Sequence, residues 1–169
     1  MASLLLLRHG EAGPHGAGPD RERALTEQGR HEARRAGEWL RAEKLTPFRI
    51  LCSPARRTRE TAEAVMAGLG NEPDLRIVQS LYAGPPEAYF DAIAAEGGDG
   101  SPLLVIGHNP AIHMTAHALA GTGGPQSMAR LSRGYPTAGL AVIEFRAPEW
   151  ADIAQGHGTL VDFWSPGQI

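Results

Sequence analysis

Three apolar runs in this chain end in the same way. LLLL at 4–7 runs into Arg8-His9-Gly10, RILC at 49–52 into Ser53-Pro54-Ala55-Arg56-Arg57, and LLVIG at 103–107 into His108-Asn109-Pro110. Runs apolar at nearly every position, rather than at alternate ones, read as strands buried on both faces, as in a parallel sheet covered by helices. A guanidinium or imidazole at the end of such a strand is desolvated at a cost unless something there uses it.

The stretches between these runs carry a helical period. Thr26 reads as an N-cap, followed by Gly29, Ala33, Ala36 and Leu40 on one face. Ser53-Pro54 and Asn109-Pro110 both read as a cap with proline at the first helical position. The helix after Ser53 has the stripe Thr58, Ala62, Val65, Met66 and Leu69, closed by Gly70, with Arg59 set to pair with Glu63 and Arg56 with Glu60. A weaker strand is predicted at Leu75–Val78 and a helix from Glu87 to Ala95. Gly121-Thr122-Gly123-Gly124 reads as a turn, and 138–145 and 159–163 as late strands at an edge or antiparallel. This alternation predicts an α/β protein, a three-layer α/β/α sandwich on a mostly parallel central sheet. Without an internal linker, residues 1–169 are expected to form a single domain.

Composition narrows the possible functions. A net charge of −3 gives no general basic field for nucleic acid. No apolar run approaches the roughly 20 residues that span a bilayer, so no membrane contact is expected. The N-terminus lacks a basic segment and a small-residue cleavage site, and the one cysteine, Cys52, reads as core filler. Both fit a cytoplasmic protein.

In open parallel sheets, ligands bind beyond the carboxyl ends of the strands. If the three strands are neighbours, Arg8, His9, Arg57 and His108 meet in one crevice, where the helices after Ser53 and Asn109 also turn their N-termini. Guanidiniums in fork geometry suit a tetrahedral oxyanion such as phosphate.

RHGEA at 8–12, SPARRTRETA at 53–62 and GHNP at 107–110, in that order, resemble the signature of the histidine phosphatase superfamily. DRERALTEQG at 20–29 and YPTAGLAVIEF at 135–145 resemble its small bacterial SixA-like branch of phosphohistidine phosphatases. The resemblance implies a phosphoglycerate mutase-like fold and a nucleophilic His9 that forms a phosphohistidine intermediate. It implies that Arg8, Arg57 and His108 hold the phosphoryl oxygens, with Asn109 beside them and Arg23 helping from a mobile loop. The family spacing, four residues after the serine, selects Arg57 over its neighbour Arg56. The substrate implied is phosphorylated, with a phosphohistidine-bearing protein favoured. A broad phosphomonoesterase, a mutase and a non-catalytic phosphate-binding module are the competing readings.

A nucleophilic imidazole must be neutral, and flanking arginines favour that form. Such chemistry rests on positioning and charge stabilisation, with no cofactor and no metal expected. His113 and His117, at i and i+4, lack the glutamate of an H-E-x-x-H site and read as an exposed helix face. His15 and His157 read as loop residues, His31 and the charged residues Arg30, Glu32, Arg34, Arg35 and Glu38 as solvated helix surface. The proton donor is the gap. Many relatives carry a glutamate soon after the third strand, where this chain reads VQSLYAGPPEAY with Ser80 near that place. Glu11, Glu87 and Asp20 are the candidate acids. Without a strong one, a good leaving group such as the imidazole of phosphohistidine is favoured.

Overall fold

The computed structural model describes residues 1–14, 16 and 18–167; His15 lies outside them. Its centre is β1 (Ala2–Arg8). Leu4, Leu5, Leu6 and Leu7 are all fully buried, and they alternate between two separate cores. Leu4 and Leu6 face one, Leu5 and Leu7 the other, so no side of this strand meets water. Each buried leucine contributes roughly 1.5–3 kcal/mol of apolar burial.

Around β1 the chain builds β2 (Arg49–Cys52), β3 (Asp74–Ile77), β4 (Leu103–Gly107), β5 (Ala120–Gly123), β6 (Leu140–Phe145) and β7 (Gly158–Trp164). They form one sheet in the order β3-β2-β4-β1-β6-β7-β5. β1 pairs parallel with β4, β4 with β2, and β2 with β3, whereas β6 runs antiparallel to both β1 and β7. β5 pairs parallel with β7, so β6 is the one reversed strand in a mostly parallel sheet.

Helices α1 (Glu27–Ala42) and α2 (Arg56–Leu69) cover one face. Helices α3 (Pro86–Glu96), α4 (Ala111–Leu119) and α5 (Pro125–Arg133) cover the other. The layers are those the alternation predicts. α1 starts where its cap predicts, with Thr26 Oγ1 accepting from the Gly29 amide at 3.0 Å, and its buried face holds Gly29, Ala33, Ala36, Gly37 and Leu40. α2 ends at Gly70, whose φ of 67° is left-handed.

Several sequence expectations are corrected. α2 begins at Arg56 and α4 at Ala111, so neither Ser53 nor Asn109 caps a helix; both side chains are turned to other work. Residues 120–123 form the edge strand β5 instead of a turn, held by β7. The glycine-rich stretch after it hides α5, which proline starts at its first position. β6 and β7 are antiparallel to each other yet lie inside the sheet, since β5 takes the edge. Arg59 donates to the Pro54 carbonyl. Three short 3-10 turns complete the fold, at Asp20–Glu22, Gln79–Leu81 and Trp150–Asp152.

Candidate active site

β1, β4 and β2 lie side by side with the same polarity, so their carboxyl ends share a rim. Register pairs Arg8 with Gly107 and Cys52 with Ile106. The ladder runs one rung past each strand: the His9 amide donates to the Gly107 carbonyl and the Ser53 amide to the Ile106 carbonyl, each at 3.2 Å. His9, Ser53 and His108 thus leave the sheet from adjacent rungs. The two imidazoles meet edge to face, with centroids 5.4 Å apart, and both are buried.

Gly10 is required by contact. A Cβ there would stand 2.4 Å from the Gly29 carbonyl oxygen, which lets the start of α1 press against the loop carrying His9. Gly107 is similar: a Cβ would fall 2.2 Å from the Tyr89 hydroxyl, which accepts the His108 amide at 3.0 Å.

Arg57 stands in the first turn of α2 and is 6% exposed, whereas Arg56 points outward and pairs with Glu60 at 3.3 Å. The structure therefore separates the adjacent arginines as the spacing does. Thr58, fully buried, donates to the Ser53 carbonyl at 2.8 Å and holds this turn.

Each imidazole is fixed by one bond. The Gly10 carbonyl can only accept, so His9 Nδ1 carries the proton at 2.7 Å and Nε2 keeps its lone pair. His108 Nε2 lies 2.7 Å from Ser53 Oγ. Burial lowers the His9 pKa to about 4, reinforced by the charges of Arg57, Arg8 and Arg23. Burial lowers that of His108 to about 3, with His9 and Arg57 acting in the same sense. Both rings are neutral near pH 7.

Arg8 Nη1 donates to the Tyr135 carbonyl at 2.9 Å, and Asn109 Nδ2 to the same oxygen at 3.1 Å. The Tyr135 hydroxyl in turn donates to the Leu6 carbonyl of β1, tying this post to the sheet. Burial lowers the Arg8 pKa and Glu32 opposes it. Glu32 also accepts from the Glu11 amide at 2.9 Å and from Thr137 at 3.1 Å, so it braces the site where solvated surface was expected.

Among the described residues, Arg8 Nε, Arg57 Nε and His108 Nδ1 are buried without a hydrogen-bond partner, as is Asn109 Oδ1. Buried polar atoms are ordinarily bonded. Two guanidinium donors left so beside a neutral imidazole make a seat for an oxyanion.

The candidate acids are dispersed. Glu11 is exposed, with Oε1 accepting from Thr26. Glu87 is exposed on α3, and Ser80 is exposed as well. Asp20 reaches the cluster, but the Tyr82 hydroxyl and then Arg57 hold its pKa down to about 2, the opposite of a proton donor's need. Arg23 donates to Asp20 Oδ1 at 3.1 Å and to the Gly13 carbonyl at 2.8 Å. The stretch after β3 therefore sends Tyr82 to the site, packed against His108 with centroids 5.8 Å apart. The sequence offered little sign of Tyr82 beyond its place after the buried Leu81.

His113 Nε2 donates to the Leu131 carbonyl at 2.6 Å, so this ring is committed to the core side of α4, not an exposed face. Among the described residues, no three His, Cys, Asp or Glu side chains are gathered as a metal ion would require. A cavity of about 600 Å³ lined by Met1, Glu144, Arg146, Asp152 and His157 involves none of the clustered residues.

The sequence profile of the histidine phosphatase superfamily (branch 1) matches residues 4–81, from β1 to the turn before Tyr82. The phosphohistidine phosphatase SixA of Escherichia coli is 32% identical over 113 residues, 64% of this chain and 68% of its own. The chain belongs to the histidine phosphatase superfamily, in its SixA-like branch. A solved structure from Nakamurella multipartitia that carries the SixA name is 31% identical, with a TM-score of 0.83 over 99% of this chain and 97% of that one. A structure of the protein histidine phosphatase SixA complexed with tungstate aligns at 26% identity and a TM-score of 0.74, covering 97% of each chain. Membership makes this SixA-like chain a phosphatase, a hydrolase of phosphoryl groups. No helix of the described residues is long and apolar enough to cross a membrane.

Proposed function

We propose that this chain removes phosphoryl groups from histidine side chains of other proteins through a phosphohistidine formed on His9. The observation that carries the reading is the bond from His9 Nδ1 to the Gly10 carbonyl, which leaves the Nε2 lone pair among buried cationic donors. Nε2 attacks the phosphorus, and the bond from phosphorus to the leaving nitrogen breaks as the new P–N bond forms. Arg8, Arg57 and His108 take the spread charge on the three oxygens, with Asn109 and Arg23 supporting Arg8 and Arg57 from the rim. Water then attacks the phosphoenzyme, releasing inorganic phosphate and restoring neutral His9. No step needs a metal ion.

The leaving group is chosen by what surrounds the seat. Glu11 and Glu87 stand outside it and Asp20 is kept ionised, so an alkoxide would depart without a strong acid. An imidazole leaves far more readily. The test is turnover of a phosphohistidine-bearing protein, an aryl phosphate and an alkyl phosphate in chelator, with the enzyme quenched during turnover. We expect the first two to be hydrolysed, the alkyl ester to lag by about a hundredfold or more, and label on the enzyme that survives base but not acid and vanishes in His9→Ala. Equal rates on aryl and alkyl esters overturn it.

A further inference from the structure

Asp20 meets the cluster through its backbone carbonyl and through both carboxylate oxygens. Arg57 Nη1 donates to its backbone carbonyl at 2.9 Å and Arg57 Nη2 to its Oδ2 at 3.1 Å. Arg23 Nε donates to its Oδ1 at 3.1 Å, and the Tyr82 hydroxyl donates to Oδ2. Tyr82 is itself held in place: its ring lies under the Arg21 guanidinium at 4.7 Å, and Arg21 donates to Gln79 at 3.1 Å. Two short turns far apart in sequence, 20–22 and 79–81, are joined across the cluster through one carboxylate.

We propose that Asp20, steadied by the Tyr82 hydroxyl, is a positioning residue that grips both terminal nitrogens of Arg57 and the Nε of Arg23, and thereby sets the edge that Arg57 turns to the bound oxyanion, with Nε as a donor there. The proposal rests on the phosphatase reading of the same site but adds to it two residues that touch no reacting atom. A guanidinium has several donors and rotates about its stem, so which edge it presents is a matter of what holds the others. Here each Nη gives an N–H to Asp20, which fixes the plane of the guanidinium, and among the described residues Nε is buried without a partner.

The carboxylate is not a stand-in for the substrate. Were it seated where the oxyanion sits, the central donors would be bonded to it; instead, among the described residues, Arg8 Nε, Arg57 Nε and His108 Nδ1 are unpartnered while Arg57 meets Asp20 through its outer nitrogens. Tyr82 is likewise no proton source in this arrangement, because its hydrogen is committed to Asp20.

The experiment is tungstate binding by calorimetry at neutral pH for the full chain, Tyr82→Phe, Asp20→Asn and the double variant, with kcat/KM on an aryl and an alkyl phosphate. Loss of one hydrogen bond in Tyr82→Phe weakens tungstate about three- to tenfold, and loss of the charged acceptor in Asp20→Asn about ten- to a hundredfold. Because Tyr82 acts through Asp20, the double variant binds within about twofold of Asp20→Asn. The two esters lose kcat/KM by the same factor.

Tighter tungstate binding by Asp20→Asn overturns the proposal, as it marks the carboxylate as a competitor. An undiminished Tyr82→Phe loss in the Asp20→Asn background overturns it too, as does a loss confined to the alkyl ester, which marks Tyr82 as a proton donor. Melting temperatures accompany each variant, and if Asp20→Asn unfolds, Asp20→Glu replaces it in the cycle. Tungstate binding needs no turnover, so a chain that binds tungstate in this pattern yet hydrolyses no phosphohistidine refutes the substrate reading and leaves this one standing.

Discussion

The Ser53 hydroxyl and Nε2 of His108 stand 2.7 Å apart, joining the turn after β2 to the residue that follows β4. With Ser53 donating, Nδ1 of His108 holds the ring proton and becomes a donor for an oxyanion. Ser53→Ala removes that constraint without adding bulk. Steady-state kinetics are expected to show kcat/KM lower by about tenfold, a melting temperature within a few degrees of the parent, and partial rescue by Ser53→Thr.

Acid has two separable effects. The His9 ring, the proposed nucleophile, stays neutral until the pH approaches about 4, so kcat/KM is expected to keep its enzyme-side acid limb below pH 5, where a free imidazole would lose activity near 6.5. Stability behaves differently. His9 and His108 have folded pKa values below the unfolded one, so the unfolded chain takes up protons that the folded chain refuses. The folded state therefore loses stability as the pH drops below about 6.5, and the loss levels off near 4 for His9 and near 3 for His108. For His9 it is on the order of 3 kcal/mol. Urea titrations at pH 7.5, 5.5 and 4.5 check the slope, and His9→Asn is expected to flatten it.

Gly10→Ala places a Cβ against the Gly29 carbonyl. Backbone must shift on both sides, destabilising the fold by about 1–3 kcal/mol and moving His9, the proposed nucleophile. Activity is expected to fall about a hundredfold even at temperatures where circular dichroism reports a folded protein, since small misplacements of reacting groups are costly.

The neighbouring arginines give a paired comparison. Arg57→Ala deletes a buried donor from the seat, and kcat/KM is expected to fall by at least about a hundredfold. Arg56→Ala breaks an exposed ion pair with Glu60, and is expected to change stability by less than about 1 kcal/mol and activity hardly at all. A similar loss in both variants contradicts the geometry.

Fold layers and the four central residues were legible because each depends on local pattern. A strand apolar at every position declares burial on both faces, and a polar motif at its end declares the rim. What escaped depends on contacts at long range. Ser53 and Asn109 look like caps in sequence, and only neighbouring strands turn them to His108 and Tyr135. Glu32 lies on a charged helix surface, yet its charge is felt at Arg8. Tyr82 meets Asp20 across 62 residues, a pairing with no local trace. β5 has the glycines of a turn, and its strand conformation comes from β7 alone.

β1 is the fourth of seven strands, flanked by β4 and β6 and sealed from water on both faces. Its amides can exchange only when the sheet itself comes apart, not by fraying at an edge. His9, the proposed nucleophile, is attached directly to this protected segment. Carrying His9 off the rim by opening β1 therefore requires the sheet itself to open.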